Sequence, residues 1–474
     1  MAAVWVLGSA LTMRPVAYGD GGEYHLAAES FVRHATPDLR PGDVASLHAR
    51  SRRQGMSLNF AAVLAGHYYE DRDGVWYPIH FWGYPLLIAP MRGLLRLVGA
   101  SGLRSGPVTN ALVFLWALQQ LLFRAGFAPR AALGAGLLVL FSPAAWFVGW
   151  THPEAFCFSA VVLALVWCRA GRRYAPVLAA SLAAMQNPGL LWLVAPLWLR
   201  AVWPEGGRLD VHRLLRAAAA AVPVALPALF GLWRFGTPSL IARETATVAN
   251  LSLGRTLELF FDLNIGLLPY APILVVLFLV ALPASLVDRR WAIRTWSATA
   301  IAALAAWTCT TTTTWNHGTA GPSRYGVWLA AFVIYVVAET SEHIAGSGPR
   351  LGQHGWTAGV ACAVLVQIVV VFGRGGLAQA DDGARHSYAA RLALRYRPAA
   401  YNPTPDIFVS RTLGRWARPD EPALYRDDTG CRKAWVRPRD GDLLVQACGA
   451  LPEDHAFFEQ SGRDRRTSWS YVSY

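Results

Sequence analysis

Long apolar runs separated by short polar breaks make up residues 1–373 of this 474-residue chain. A helix needs about 17 to 25 predominantly apolar residues to cross the hydrocarbon core of a bilayer. The repeated runs therefore predict an α-helical polytopic membrane protein with about eleven transmembrane helices, rather than a series of soluble domains. The predicted spans are 2–18, 107–124, 131–149, 154–169, 174–187, 189–203, 214–233, 265–287, 291–309, 323–341 and 356–373.

The pattern changes after Gly373, where no apolar run is long enough to cross a bilayer. Residues 374–474 mix charged and apolar positions, and about 100 residues can enclose a modest core of their own. We therefore expect a transmembrane module over 1–373 and a small soluble C-terminal domain over 374–474. Within the module, the stretch 19–105 is predicted to form one large loop with surface helices.

Composition and charge agree with this division and exclude other classes. Hydrophobic residues make up 54% of the chain and charged residues 15%, whereas soluble proteins carry about a quarter charged residues. The net charge is +13, and Lys433 is the only lysine, so the positive charge is nearly all arginine. These arginines are scattered between apolar runs, which is typical of topological anchors and argues against a nucleic-acid partner.

Arginine placement also predicts the orientation in the membrane. The loops at 170–173 and 288–290 contain arginine pairs, whereas the loops at 150–153 and 186–188 contain no arginine. Short cytoplasmic loops are enriched in positive residues. We therefore predict a multi-pass protein of the plasma (inner) membrane, with a cytoplasmic N-terminus and an extracytoplasmic C-terminus. The large loop 19–105 then faces the outside.

The segment 83–99 is apolar enough to be counted as a further span, and that choice would reverse the orientation. It carries Arg92 and Arg96, four residues apart on one helical face. A charge near the bilayer centre costs at least about 2.5 kcal/mol, whereas a helix lying on the membrane keeps both guanidinium groups in water. We therefore expect 83–99 to lie on the membrane surface.

Residues 22–35 are predicted to form an amphipathic helix at the start of the large loop. Its apolar side chains share one face, while Glu29 and Arg33 lie four residues apart on another. Oppositely charged residues at this spacing are neighbours on a helix. We expect Glu29 and Arg33 to pair at the surface.

Two of the six cysteines, Cys431 and Cys448, lie in the predicted C-terminal domain. Outside the cytoplasm a disulfide between them is chemically allowed, and it would stabilise the domain by about 3 kcal/mol. The alternative is two unpaired thiols. The remaining cysteines fall within predicted spans, where packing is their usual role, and no Cys/His spacing resembles a zinc motif.

Asp20 and Glu23 stand where the first span meets the large loop. If 22–35 is helical, both carboxylates lie near the helix N-terminus and face the same side. Such carboxylates can act as a general base or bind a cation. The structural alternative is that Asp20 caps the helix and Glu23 complements its dipole.

A second acid, Glu154, follows His152 and Pro153 in the next predicted outer loop. Proline favours the first turn of a helix, so Glu154 is expected to lie at a helix start. It is either a second functional acid or an acid stabilised by the helix dipole. His152 by itself does not distinguish these interpretations.

A third group of polar and aromatic residues lies in a glycine-containing loop at 310–325. Arginine matches phosphate oxygens with a planar fork of donors, and aromatic ring faces suit the apolar side of a sugar. The loop is therefore a candidate substrate site, with an interfacial aromatic belt as the alternative. Its candidate residues are Trp315, Asn316, His317, Arg324 and Tyr325.

Together these features resemble the GT-C superfamily of integral-membrane glycosyltransferases, which includes the protein O-mannosyltransferases and the lipid A aminoarabinose transferase. The shared features are Asp20 after the first span, the long first outer loop, the sequence Thr-His-Pro-Glu-Ala-Phe at 151–156, and a Trp-x-x-Gly-x-x-Gly-x-x-Arg-Tyr motif at 315–325. The resemblance covers the layout of residues 1–340.

The resemblance implies transfer of a sugar from a polyprenyl-phosphate donor to an acceptor hydroxyl on the outer face of the membrane. By the family pattern, Asp20 is the catalytic base, Glu154 the second acid and Arg324 a contact to the lipid phosphate. The acceptor is a lipid, a glycan or a protein, and membrane lipids surround the spans.

One departure from the family leaves part of this assignment open. Many members have adjacent Asp-Glu in the first loop, whereas two glycines separate Asp20 from Glu23 here. Either acid can therefore be the base, and no cofactor is certain, although a divalent metal is compatible with the acids. The alternative functions are a lipid or solute transporter or flippase, and a non-catalytic scaffold that presents the C-terminal domain.

Overall fold

A computed structural model describes residues 1–14, 19–56, 58, 60–203, 210–315, 321–347, 350–373, 376–378, 385–415, 417–449 and 469–474. The chain is mostly helical (71%) with a small C-terminal sheet. Among the described residues, four helices are long and apolar enough to cross a membrane: Gly102–Arg124, Val211–Phe235, Arg324–Gly346 and Gly352–Gly373. These helices are consistent with the predicted helical membrane protein, whereas the number of eleven spans stays a prediction.

The helices and strands are numbered here in chain order. The described helices are α1 (Ala2–Thr12), α2 (Gly21–His34), α3 (Pro41–Arg53), α4 (Phe60–His67), α5 (Gly83–Leu97), α6 (Ser105–Arg124), α7 (Pro129–Leu140), α8 (Ala145–Val148), α9 (Glu154–Arg169), α10 (Ala175–Gln186), α11 (Leu191–Val202), α12 (Val211–Phe235), α13 (Leu240–Thr245), α14 (Leu253–Phe261), α15 (Pro272–Ala284), α16 (Arg289–Cys309), α17 (Arg324–Ser347), α18 (Arg350–Gly373), α19 (Tyr388–Tyr396), α20 (Pro405–Leu413) and α21 (Gly441–Cys448). The described strands are β1 (Tyr68–Glu70), β2 (Trp76–Pro78), β3 (Ala423–Asp427), β4 (Gly430–Val436) and β5 (Ser470–Ser473).

Each predicted span contains a helix, but several predicted boundaries differ from the helix ends, and two predicted runs differ in their internal structure. The run 131–149 is divided into α7 and α8 by Pro143, which lacks the N–H that a continuous helix requires. The run 265–287 is helical only from Pro272 onward. Before it, the Asp262 carboxylate accepts hydrogen bonds from the backbone N–H groups of Asn264 and Ile265 at 2.7 and 2.8 Å, which forms a turn in place of a helix.

Contact clustering divides the chain into two compact units. The first unit comprises Met1–Thr256, Ala271–Thr312 and Tyr325–Ala380. It contains most of the apolar helices together with the large loop, in which α2 packs against α5.

The segment 83–99 differs from the prediction of a surface helix whose two arginine side chains are in water. It forms α5, whose 15 residues give a helix about 22 Å long, shorter than the roughly 30 Å hydrocarbon core. Arg92 is nevertheless completely buried, so the expectation that both guanidinium groups are in water is wrong. The reason is a tertiary partner: Arg92 Nη1 lies 3.2 Å from the Oε2 atom of the equally buried Glu29.

The predicted pair of Glu29 and Arg33 is also wrong. Glu29 in α2 pairs with Arg92 and Arg96 of α5 and accepts a hydrogen bond from Ser46 at 2.8 Å. Arg33 instead pairs with Asp43 at 3.1 Å. The face of α2 that carries Glu29 is therefore covered by other parts of the large loop, which the spacing within α2 could not reveal.

The second unit comprises Leu257–Tyr270, Thr313–Arg324 and Asp381–Tyr474. Its antiparallel sheet has the order β3-β4-β5. A core of buried apolar side chains, including Leu394, Phe408 and Val409, packs beside this sheet. The unit thus joins residues of the predicted C-terminal domain with two segments that lie far upstream in the sequence.

The predicted disulfide is present in the second unit. Cys431 and Cys448 are bonded to each other, with their Cα atoms 5.9 Å apart and a separation of 17 positions in sequence. The bond joins the start of β4 to the end of α21. Cys157, Cys168, Cys309 and Cys362 are free thiols, as their positions in apolar helices predicted.

Candidate functional site

The first candidate residues lie where α2 begins. Gly22 in the first turn is required by close packing, because a Cβ atom there would lie 2.8 Å from Cγ2 of Val63 in α4. Asp20 occupies the N-cap position of α2, yet its side chain makes no capping hydrogen bond. The interpretation of Asp20 as a helix cap is therefore not supported by its geometry.

A short hairpin brings two histidines to this helix start. Strands β1 and β2 pair antiparallel with Tyr68 opposite Pro78, and the backbone N–H of Ile79 donates to the carbonyl of His67 at 2.9 Å. His67 and His80 flank the hairpin, and their rings stack with centroids 5.9 Å apart. Pairing of the strands therefore sets two residues 13 positions apart side by side.

Sequence reasoning missed both histidines, although a signal was present. The hairpin turn reads Asp-Arg-Asp-Gly-Val between the aromatic stretches Tyr-Tyr-Glu and Trp-Tyr-Pro. The Asp71 side chain accepts hydrogen bonds from the N–H groups of Asp73 and Val75, both at 2.9 Å, and Gly74 has a positive φ of 77°. Aspartate and glycine at these positions are typical of a tight turn, which would have predicted that His67 and His80 are neighbours.

Glu23 lies between the two histidines and is 1% exposed. Its carboxylate accepts hydrogen bonds from the backbone N–H of His80 at 2.9 Å and from His80 Nδ1 at 2.6 Å. His67 Nδ1 lies 3.2 Å from the same carboxylate. Glu23 is therefore enclosed by histidine donors, and it is not simply a residue that complements the dipole of α2.

The electrostatics of this group follow from burial and from charge. Burial by itself raises the pKa of the Glu23 carboxyl, but His80 and His67 beside it hold that pKa below its ordinary value. The Glu23 carboxylate beside it in turn raises the pKa of His67, against the effect of burial. The carboxylate is therefore ionised at neutral pH and orients both rings.

Asp20 completes the group on the other side of His80. Its Oδ2 atom lies 3.5 Å from His80 Nε2, and its side chain is partly exposed. One ligand atom from each of Asp20, His67 and His80 lies within 4.8 Å of the other two. These three side chains can therefore approach a common ion, and Asp20 is also accessible to a substrate.

The second predicted loop lies against the first. The buried His152 ring packs edge-on against Tyr24 of α2 with centroids 5.5 Å apart. A Cβ atom at Gly19 would lie 3.7 Å from His152 Cε1. Glu154 begins α9, and its Oε2 atom lies 3.7 Å from His152 Nδ1. The structure thus brings Asp20, Glu23, His152 and Glu154 into one region of the first unit.

Buried polar side chains hold these two loops in position. Asn110 of α6 donates its amide hydrogens to the carbonyls of Trp150 and His152, at 2.9 and 3.1 Å. Its Oδ1 atom accepts from the hydroxyl of Tyr84 at 3.1 Å. Because all of these groups are buried and paired, breaking the arrangement would cost their desolvation. The loop at 150–154 is therefore fixed by α5 and α6.

The third predicted group is divided in the structure. Trp315 belongs to the second unit, where its backbone N–H donates to Asp406 and its indole N–H to Glu258. Its ring is completely buried, so in this structure it presents no face to a sugar. A role of Trp315 in substrate binding stays a prediction.

The other members of the third group give less structural information. Asn316 and His317 lie outside the described residues. Arg324 and Tyr325 begin α17 and are partly buried, and Tyr325 packs against Trp328 with ring centroids 6.0 Å apart. Arg324 ends a segment of the second unit, whereas Tyr325 begins a segment of the first.

Comparisons with known proteins identify no relative of this chain. No protein-family model, no curated protein and no solved structure matches the chain.

Proposed function

We propose that this protein is a GT-C-type glycosyltransferase that moves a sugar from a polyprenyl-phosphate donor to an acceptor hydroxyl. The observation that carries the proposal is the contact between the two acid-bearing loops, made by Tyr24 and Gly19 against His152. Asp20 and Glu154 are 134 positions apart in sequence but lie in the same region of the first unit. Two acids beside a histidine suit acid–base chemistry on a hydroxyl.

The local environments favour Asp20 over Glu23 as the base. Glu23 is buried and accepts hydrogen bonds from His80. Asp20 is partly exposed and makes no side-chain capping bond. A general base must reach the proton that it removes. The partly exposed carboxylate of Asp20 meets that need better than the buried carboxylate of Glu23.

The proposed reaction is a single displacement with inversion at the anomeric carbon. Asp20 accepts the proton of the acceptor hydroxyl, and the acceptor oxygen forms the new bond to the anomeric carbon. The bond between that carbon and the phosphate oxygen breaks, and polyprenyl phosphate leaves with the electron pair. Positive charge near the leaving phosphate stabilises the transition state.

Glu154 and His152 have a supporting role in this proposal. Both side chains are buried, and their closest atoms are 3.7 Å apart. Since His152 also contacts Tyr24, a change at Glu154 would be transmitted to the start of α2. We propose that the pair holds the start of α2, and with it Asp20, in position.

We also propose that the active loops and the second unit face the outside of the plasma (inner) membrane. The Cys431–Cys448 disulfide supports this orientation, because disulfides persist in oxidising compartments. Membranes harvested with a thiol-blocking reagent and digested without reduction are expected to yield the two cysteines as one cross-linked peptide pair. Recovery of both as blocked free thiols would contradict the disulfide and the orientation.

The proposed activity is tested by following labelled sugar in proteoliposomes. Purified protein is reconstituted with radiolabelled polyprenyl-phosphate sugar and an acceptor fraction extracted from cells that lack the protein. Label is expected to pass from the polyprenyl lipid to the acceptor, because the anomeric bond is broken. If label crosses the bilayer while staying on intact polyprenyl lipid, the protein is a flippase, and the proposal is wrong.

A further inference from the structure

We propose that Asp20, His67 and His80 bind one divalent transition-metal ion, with Zn²⁺ as the ion that fits them best. The three residues come from the start of α2 and from both ends of the β1–β2 hairpin. One oxygen and two imidazole nitrogens lie within 4.8 Å of one another. This is a carboxylate–histidine–histidine ligand set of the kind used by catalytic zinc sites.

The distances suit a small coordination sphere. Two ligands that are each about 2.0 to 2.1 Å from a tetrahedral ion lie about 3.4 Å apart. Asp20 Oδ2 and His80 Nε2 are 3.5 Å apart, close to that separation. Because the largest separation in the group is no more than 4.8 Å, a small side-chain movement would bring His67 into the same sphere.

Glu23 provides the strongest argument for a metal site. Zinc-bound histidines commonly donate the ring N–H that does not bind the metal to a carboxylate, which fixes the tautomer and the ring orientation. Here the Nδ1 atoms of both histidines lie next to one buried carboxylate, at 2.6 and 3.2 Å. Assigning the hydrogens from this network puts a proton on each Nδ1 atom and directs the lone pairs through Nε2.

The charge and exposure of the group also suit a cation. Metal ligation requires both imidazoles to be neutral, and the two carboxylates then give the group a formal charge of about −2, which a divalent ion would neutralise. All three proposed ligands are partly exposed, whereas Glu23 behind them is buried. An ion can therefore enter from solvent and keep an open position, as in catalytic zinc sites and unlike closed structural sites.

The ligand types predict selectivity among metals. Imidazole nitrogen suits zinc and other later first-row metals, whereas magnesium and calcium prefer an all-oxygen sphere. We therefore expect Zn²⁺ to bind in the presence of excess Mg²⁺. The alternative is a metal-free network in which His80 carries a positive charge between Asp20 and Glu23.

The test measures metal binding directly and needs no sugar substrate. Full-length protein in detergent is stripped with EDTA, incubated with Zn²⁺ and excess Mg²⁺, desalted and analysed for metal content. We expect about one Zn²⁺ per chain, and at least a tenfold loss of affinity in His67→Ala and in His80→Ala. Glu23→Gln is expected to lose about 10- to 100-fold, as is common when a carboxylate behind a ligand is changed.

Matched variants separate a metal site from a general need for histidine. His48 lies in α3 of the same loop, where its ring packs against Phe60 at 5.3 Å, and His48→Ala is expected to bind Zn²⁺ as the wild type does. His67→Cys restores a metal ligand and is expected to recover the ion even if His67→Ala folds poorly. A wild-type protein without stoichiometric Zn²⁺, or equal Zn²⁺ in wild type and folded His67→Ala, would overturn the proposal.

The metal site and the proposed glycosyl transfer can fail separately. Metal content is measured without sugar donor or acceptor, and the proteoliposome assay of sugar transfer uses the wild-type protein. Asp20 has a role in both proposals, so the histidines rather than Asp20 are the residues changed here. Zn²⁺ binding without sugar transfer would support the metal site and contradict only the proposed transferase activity.

Discussion

Asp20→Asn is expected to lower the rate of sugar transfer by about 10²- to 10⁴-fold, the usual cost of losing a general base. The substitution keeps the size and shape of the side chain but removes its ability to accept a proton at neutral pH. Since the Asp20 side chain makes no capping hydrogen bond, α2 loses no cap. Transfer of labelled sugar to the acceptor fraction measures the effect, with thermal unfolding as the check on folding.

Two further variants serve as comparisons for Asp20→Asn. Asp73→Asn removes an exposed carboxylate from the hairpin turn, where its partner is Arg234, and is expected to transfer sugar at the wild-type rate. Glu23→Gln is expected to lower stability together with activity, because Glu23 is buried between His67 and His80. A well-folded Asp20→Asn protein with the wild-type rate would contradict the assignment of Asp20.

The zinc content of the Asp20→Asn preparation separates the two roles proposed for Asp20. If the rate falls while Zn²⁺ stays bound, Asp20 acts on the substrate as the base. If both fall together, the loss of rate is explained by the loss of the ion. The same sample thus identifies which property of the carboxylate the reaction requires.

Arg92→Met is expected to destabilise the first unit by about 3 to 5 kcal/mol, the usual cost of removing one partner from a buried ion pair. Arg92 and Glu29 are both completely buried, and Arg92 also donates to the His25 carbonyl at 2.8 Å. Methionine fills a similar volume but leaves the Glu29 carboxylate without this charge. The fall in stability is measured by unfolding the purified protein in detergent.

Comparison variants distinguish the effect of losing a buried charge on stability from the effect of losing any charge. Arg33→Met removes a guanidinium that is 44% exposed in its pair with Asp43, and it is expected to cost no more than about 1 kcal/mol. The double variant Glu29→Leu with Arg92→Met removes both buried charges and is expected to be more stable than either single variant. An Arg92→Met protein as stable as the wild type would show that this pair does not stabilise the loop.

The local sequence pattern was sufficient to predict the helices 22–35 and 154–169 and to identify the acids in the loops. The predicted helix 22–35 corresponds to α2 at Gly21–His34, and the predicted span 154–169 corresponds to α9 at the same residues. Helix periodicity and proline depend on neighbours within a few positions. The disulfide partners Cys431 and Cys448 could also be predicted, because they are the two cysteines outside the apolar runs.

The errors concern side chains whose partners are distant in sequence. Arg92 looked like a residue that must remain in water, because an unpaired buried charge is very costly. Its partner Glu29 is 63 positions away and became available only when α2 packed on α5. The wrong prediction therefore came from treating α5 as an isolated helix.

The sequence by itself determined the helical class, the positions of most of the apolar helices, the disulfide partners and the acids at the loop ends, because these depend on local periodicity and composition. Only the tertiary structure decided that His67 and His80 enclose Glu23 and that His152 packs against Tyr24. Those contacts depend on the β1–β2 hairpin and on the packing of loops, which join residues far apart in sequence. Helix periodicity carries information about neighbours a few residues away, whereas a site is assembled from residues that only packing brings together.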